Sequence, residues 1–405
     1  MITLRNVCDL EGKKGTHTLF SKEHIDIDAT GLTVMPALID AHVHFRTPGM
    51  EHKENWISAA RAALYGGITT VFDMPNTIPP TISIERIVEK KALIDKQIQE
   101  SGVPLRYYLY LGADKAHLDE IKKAKDHVIG IKVFMGSSTG GLVMDDAVSL
   151  RKVFSLAADY DLIVSVHAED EKLIEKRKKQ YARERNPRVH SLIRSREGAC
   201  MATKQAIDLA RTYKTRLFLL HIGTKEELQL ILQAKEEGLS VYAETTPHHL
   251  FLTEDAYDIW GTKVQMNPPL RQKEDCEALW QAIGDGIIDS IGSDHAPHTQ
   301  EEKDQPYGKA PSGIPGVETT LPLLLHAHHE GRISLQKVVC LMKENLEKIF
   351  RLPPSDDVLL VDLNKKRQVE KHKLHTKCGW SPYEGQILQG VLSYVIAQGK
   401  IYDIR

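Results

Sequence analysis

The sequence predicts an α/β fold: a (β/α)8 barrel of the TIM type, joined to a small β-rich satellite domain made from the two chain ends. Three observations carry this reading. Eight short apolar runs alternate with amphipathic segments through the middle of the 405-residue chain. The fingerprint G-x-G-x-x-G, which an open doubly wound sheet would carry after its first strand, is missing. The two ends hold short strand-like runs and few helical patterns.

The elements follow in chain order. Residues 1–35 contain MITLRNV and HIDIDAT, and residues 352–405 contain DVLLVDL and SYVIAQGKIYDI. These runs are too apolar for loose tails, so both ends are assigned to the satellite. The barrel takes 36–351. Its strands are expected at 37–44, 68–75, 105–112, 128–135, 162–169, 216–223, 240–247 and 289–297. They are rich in Val, Ile, Leu, Phe and Tyr, as parallel strands buried on both faces should be. Between them, 55–67, 83–101 and 196–214 show helical amphipathicity.

Composition narrows the function. Lys and Arg total 53 against 55 Asp and Glu, a net charge of -2, which argues against a dedicated nucleic-acid binder. No run approaches the ~18 apolar residues of a membrane helix. The start, MITLRNVCDLEGKK, has no signal pattern, so export is not expected. Five scattered cysteines form no C-x-x-C pair, which fits a reducing cytoplasm. The 19 histidines direct attention to metal or acid–base chemistry.

His42 and His44 are the first candidates. On a strand, residues i and i+2 share a face, so two imidazoles there can hold one cation. Alone, such a pair is unremarkable. However, the strand ends at His167, His221 and Asp294 add two imidazoles and a carboxylate, and Lys132 interrupts an apolar run. In a barrel all strands run parallel, and their C-terminal ends form one face, where active sites sit. The six residues therefore converge, and buried imidazoles and carboxylates without partners are costly. A metal site is the expectation. A buried Lys132 beside cations would lose its proton. Its neutral amine could then take up CO2 as a carbamate, a carboxylate on a long arm.

The motifs identify a family. PALIDAHVHFRTPG (36–49), GGITTVFDMPNTIPP (66–80), GIKVFMGSS (130–138), HAED (167–170), LLHIGT (219–224), ETTPHHL (244–250), MNPPLR (266–271), IGSDHAPH (291–298) and APSGIPGVETTLPLLL (310–325) occur in order. With them, nearly the whole chain resembles the dihydroorotases of the amidohydrolase superfamily. The resemblance implies reversible hydrolysis of L-dihydroorotate to N-carbamoyl-L-aspartate, in pyrimidine biosynthesis. It implies two Zn2+ ions bridged by carbamylated Lys132 and hydroxide. His42, His44, Lys132, His167, His221 and Asp294 match the metal ligands, and Asp294 the acid–base residue. Arg46, Asn76 and His298 match the substrate-carboxylate binders. Asn267, Pro315 and Gly316 match positions facing the pyrimidine ring. Ala37 and Gly223 depart from common family residues without touching a ligand.

Other features carry less. GSSTGG (136–141) lacks the ending of a phosphate loop and reads as a βα-loop. KRKKQYARER (176–185) reads as a solvated helix face. His248 and His249 are either support for the ligands or polar rim. Asp73 and Glu244 receive no role. Dihydropyrimidinases, hydantoinases and allantoinases share the ligand set, so Arg46 and Asn76 are what favour a substrate bearing a ring carboxylate. A non-catalytic scaffold of the same family would typically have lost ligands, and all six are present. The expected partners are the small-molecule substrates, with a homodimer possible and neither nucleic acid nor membrane involved.

Overall fold

The computed structural model describes residues 1–137 and 141–405, so the run 136–141 falls partly outside the described residues. The N-terminal end contributes strands β1 (Ile2–Cys8), β2 (Lys14–Leu19), β3 (Ile25–Asp28) and β4 (Thr33–Pro36). Eight parallel strands follow: β5 (Leu38–Val43), β6 (Ile68–Asp73), β7 (Arg106–Gly112), β8 (Gly130–Phe134), β9 (Val164–His167), β10 (Leu217–Leu219), β11 (Val241–Thr245) and β12 (Ser290–Ile291). All eight expected strands are present, each pairing with its sequence neighbour. Every residue of β5, β6, β8 and β9 is buried, which is why these runs show no polar alternation.

Helices cover the outside. Helix Trp56–Tyr65 starts where the Asn55 side chain accepts from the N–H groups of Ile57 and Ser58. Helix Lys225–Glu236 opens with a capping box in which Thr224 and Glu227 satisfy each other's backbone donors. Ala59, Ala60, Ala62 and Ala63 turn a small-residue face inward and let the first helix lie close to the barrel. Among the described residues, no helix is long and apolar enough to cross a membrane.

The barrel closes at one seam. His44 N–H donates to His295 O at 2.8 Å, and Val43 bridges His295 in parallel fashion. Ser293 N–H donates to the buried Asp40 carboxylate at 3.1 Å. The last strand is much shorter than the expected 289–297. Its ladder ends at Ile291, and Asp294 just beyond has φ at +44°. The expected 216–223 shortens in the same way, with His221 at φ +41°. Strand regularity is given up where functional side chains must be aimed.

The two ends share one sheet. Strands β13 (Val358–Gln368), β14 (Ile387–Ala397) and β15 (Lys400–Asp403) extend it in the order β15-β14-β13-β4-β1-β2, with β3 paired to β1. Val358 pairs with Pro36, and Val361 with Thr33. One part of 352–405 does not join this sheet. The segment 369–386 crosses to the barrel mouth as a strap. Trp380 Nε1–H donates to His298 O at 2.8 Å, and Lys377 N–H donates to the buried Glu54 carboxylate at 3.1 Å. Cys378, Trp380 and Tyr383 pack with Leu252, Tyr257 and Ile314.

Gly66, between the first helix and β6, shows how tightly the barrel top is built. A Cβ there would sit 2.2 Å from the Val317 carbonyl oxygen, although its φ of -86° suits any residue. Gly102 has the opposite problem, with open space around it but φ at +71°. Gly66→Ala should therefore cost roughly 1–3 kcal/mol or more through overpacking. Gly102→Ala should cost about 1 kcal/mol through backbone strain. Urea midpoints of the two variants should rank them in that order, and the reverse ranking would contradict this packing.

Candidate metal centre and active site

His42, the penultimate residue of β5, is buried, and His44 follows just beyond the strand. Their Nε2 atoms each lie 3.2 Å from Asp294 Oδ1, which comes from the far end of the chain across the seam. The ligand atoms of these three residues lie within 4.8 Å of one another. Each imidazole is oriented from behind. His42 Nδ1 is 2.8 Å from Glu244 Oε1, and His44 Nδ1 is 2.7 Å from Asn76 Oδ1. With these oxygens accepting, each Nδ1 carries the hydrogen and each Nε2 lone pair faces the cluster, the arrangement typical of histidine ligands.

The second pair comes from β9 and the end of β10. His167 Nδ1 and His221 Nε2 face each other at 2.9 Å. Burial pushes His42 down to about 3 and His44 to about 4, and lowers His167 and His221 as well. All four rings are therefore neutral near pH 7, with lone pairs to donate. Burial opposes the Asp294 charge, but His42 and His44 outweigh it and hold that carboxyl well below its usual range. The Lys132 amine is 1 % exposed, and its Nζ has no hydrogen-bond partner among the described residues. Burial brings it down to about 7. An orphaned amine, two imidazole nitrogens aimed at one another and a His-His-Asp cluster fit divalent cations, because each arrangement is costly without something shared between the atoms. Borderline cations suit such imidazole-rich ligation.

These six side chains line one pocket with Arg46, Asn76, Phe134, Asn267, Ala296, Ser312 and Gly313. Arg46 lies beyond the strand, so strand alternation does not aim it. A left-handed turn at φ +64° does. The Asp73 carboxylate on β6 fixes that turn by accepting from Phe45 N–H at 2.8 Å, and Lys90 pairs with Asp73 at 2.5 Å. Arg46, His221 and Asp294 are three non-glycine residues at positive φ in one site, each a strain of order 1–3 kcal/mol.

The Arg46 guanidinium is 2 % exposed and has no carboxylate ion-pair partner among the described residues. Its Nε–H donates to Pro297 O at 3.1 Å, and its Nη2 lies 3.3 Å from His298 Nε2. Lys53 Nζ approaches the other ring nitrogen of His298 at 3.1 Å. Burial, with Arg46 alongside, pushes His298 to about 3, so the ring is neutral.

Asn267 Oδ1 accepts from Arg194 Nε–H at 2.9 Å and lies 2.9 Å from His190 Nε2. Pro315 and Gly316 lie outside the lining of the metal pocket, which includes Ser312 and Gly313. Gly316 N–H points at His295 Nδ1, 3.1 Å away, which ties that turn behind the seam. Pro315 and Gly316 line a separate narrow recess with His295.

Sequence reasoning missed the supports. Glu244 and Asp73 were visible as charges inside apolar strands, yet their partners lie on other strands. Glu169 sits 2.8 Å from His167 Nε2 and 3.3 Å from Arg194 Nη1, although HAED gave no hint of that arginine. His248 and His249 are buried rather than rim residues, and His249 Nδ1 lies 2.8 Å from Thr246 Oγ1. The ring of His249 also approaches Gly223, where an added Cβ would meet it at 3.1 Å.

With this geometry in hand, comparison with known proteins is direct. Residues 33–342 match the model of the Amidohydrolase family. A dihydroorotase of Halobacterium salinarum is 37% identical over 364 residues, covering 87% of this chain and 82% of that protein. One from Methanosarcina acetivorans is 34% identical over 415 residues, covering 96% and 85%. Among solved structures, L-hydantoinase (dihydropyrimidinase) from Arthrobacter aurescens superimposes with a TM-score of 0.90 at 27% identity, covering 99% of this chain and 95% of that one. Family model, relatives and barrel geometry agree that the chain belongs to the amidohydrolase family, and within it to the dihydroorotases.

Proposed function

We propose that this site hydrolyses the ring amide of L-dihydroorotate to N-carbamoyl-L-aspartate and catalyses the reverse closure. The observation that carries this reading is Arg46: a guanidinium buried in the metal pocket with no carboxylate ion-pair partner among the described residues. A buried, unpaired charge is tolerated where a ligand completes it. A planar guanidinium suits a carboxylate, which dihydroorotate carries and dihydrouracil and hydantoin lack. The hydantoinase-like solved structures support the same cyclic-amidase chemistry, and Arg46 is what separates the substrates.

His42, His44, His167, His221 and Asp294, with Lys132 as a carbamate between the two sets, would hold two zinc ions. When bound, such cations polarise a carbonyl and bring the pKa of water from 15.7 toward ~7. The chain's own residues do the rest. Arg46 grips the substrate carboxylate, with Asn76 and His298 beside it. Asn267 faces the ring from the other wall. Asp294 is the one carboxylate lining the pocket among the described residues. It is placed to take a proton from attacking water and return it to the leaving ring nitrogen. Ring closure consumes a proton, so acid favours closure and alkali favours hydrolysis. Five free cysteines support a reducing, cytoplasmic setting.

Three measurements test this reading. Lys132→Ala should lower bound zinc from about two ions per chain and abolish most turnover, and full metal content with normal rates would remove the carbamate bridge. Asp294→Asn should reduce kcat by ~10²–10⁴, the usual range for a positioned acid–base group. A near-normal rate would move proton transfer elsewhere. Arg46→Met should leave metal content intact and lower kcat/KM for dihydroorotate by at least ~10–100-fold, while scarcely touching dihydrouracil. An equal loss on both substrates, or a wild type that prefers hydantoin, would sink the dihydroorotate assignment.

A further inference from the structure

The metal pocket holds only about 20 Å³ of free space beside its side chains, room for about one water. It opens past Asn267 and Ser312 into an outer chamber of about 450 Å³. One wall of that chamber is Lys178, Tyr181, Ala182 and Arg185, and the opposite wall includes Gln265 and Tyr307. Glu184 is the one acidic side chain lining it among the described residues.

That cationic wall belongs to the basic stretch whose sequence reads as a solvated helix face. Residues 171–188 contain eight Lys or Arg against three Glu. Three of the cations are paired: Arg177 with Glu197, Lys178 with Glu175, and Arg188 with acids of the 254–258 turn. The other five, Lys172, Lys176, Lys179, Arg183 and Arg185, form no ion pair among the described residues. Arg185 donates only to the carbonyls of Ala182 and Glu184. The chain as a whole has a net charge of -2, so this positive excess is local. Arg194, buried between the chamber and Glu169, carries the positive lining inward to Asn267.

We propose that the outer chamber is a capture site for small carboxylates, in which the 171–188 wall concentrates anions and feeds them to the metal pocket. The inference rests on the function proposed above and adds to it an electrostatic capture step that acts in both directions. A cleft lined by one sign of charge raises local counter-ion concentration and association rate, and the effect falls with ionic strength. It grows with ligand charge, so the wall favours the dianion N-carbamoyl-L-aspartate over the monoanion dihydroorotate.

The test is steady-state kinetics in both directions from 20 to 500 mM salt, on wild type and on Lys178→Gln/Arg185→Gln. Neither residue touches the ligands or Arg46. In the wild type, kcat/KM should fall with salt in both directions. The double variant should keep kcat, lose about 3–10-fold in kcat/KM in both directions at low salt, since the equilibrium constant fixes their ratio, and converge on the wild type at high salt. Identical salt slopes in the two proteins, with turnover intact, would overturn the capture wall and leave the proposed function standing. Absence of dihydroorotate turnover would instead overturn the function. Capture is then read by calorimetric titration of N-carbamoyl-L-aspartate at 20 mM salt, where equal affinity for both proteins refutes it. Binding of single-stranded RNA that the double substitution abolishes, with kinetics unmoved, would also refute it and reassign the wall to nucleic acid.

Discussion

The site depends on how the barrel closes. A parallel sheet of eight strands has two free edges unless its last strand reaches its first, and here the meeting is brief: one bridge between Val43 and His295, reinforced by Ser293 on Asp40. The cluster of His42, His44 and Asp294 straddles that seam, with two ligands from the first strand region and one from beyond the last. Side chains about 250 residues apart in sequence therefore meet only if closure is complete, and the entropy of closing so long a loop has to be met by the whole core. The short ladder of β12 is part of the same arrangement, because a longer one would hold Asp294 in extended conformation and aim it away.

Burial then sets the electrostatics. Removing the four imidazoles from water keeps them neutral, which is what a ligand nitrogen requires. The same environment lowers the lysine amine toward neutrality and makes an unpaired guanidinium expensive. These are one effect acting on different side chains. Opposite it stand supports that orient the site: Glu244 behind His42, Asn76 behind His44, Asp73 beneath the Phe45 peptide. Asn76 thereby touches both the metal-facing imidazole and the substrate end of the pocket, coupling the two regions through a single amide.

Much of this was legible in the sequence, for a physical reason. Parallel strands are buried on both faces, so apolar runs marked all eight, and polar residues at their C-terminal ends marked the ligands. His42, His44, Lys132, His167, His221 and Asp294 meet in one pocket as that logic demands. The failures are equally physical. Strand alternation could not aim Arg46, since a left-handed turn does so, and periodicity carries no record of an isolated positive φ. Pro315 and Gly316 lie outside the pocket lining, and position within an irregular loop leaves no pattern in the sequence. Glu169 and Arg194 were invisible as a pair, because ion pairs between different helices and strands have no sequence spacing.

The strap at 369–386 changes what the terminal segments are. They make their own sheet, but Trp380 holds the His298 carbonyl and Lys377 holds Glu54, so part of the support beneath the corner of Arg46 and His298 is encoded about 80 residues after that corner. Barrel and satellite are therefore not interchangeable parts. A chimaera that grafted a relative's terminal segments onto this barrel would import a foreign strap, and with it a foreign setting for His298 and Arg46. The ends of the chain thus help to set the position of His298, a dependence that no ligand motif would reveal.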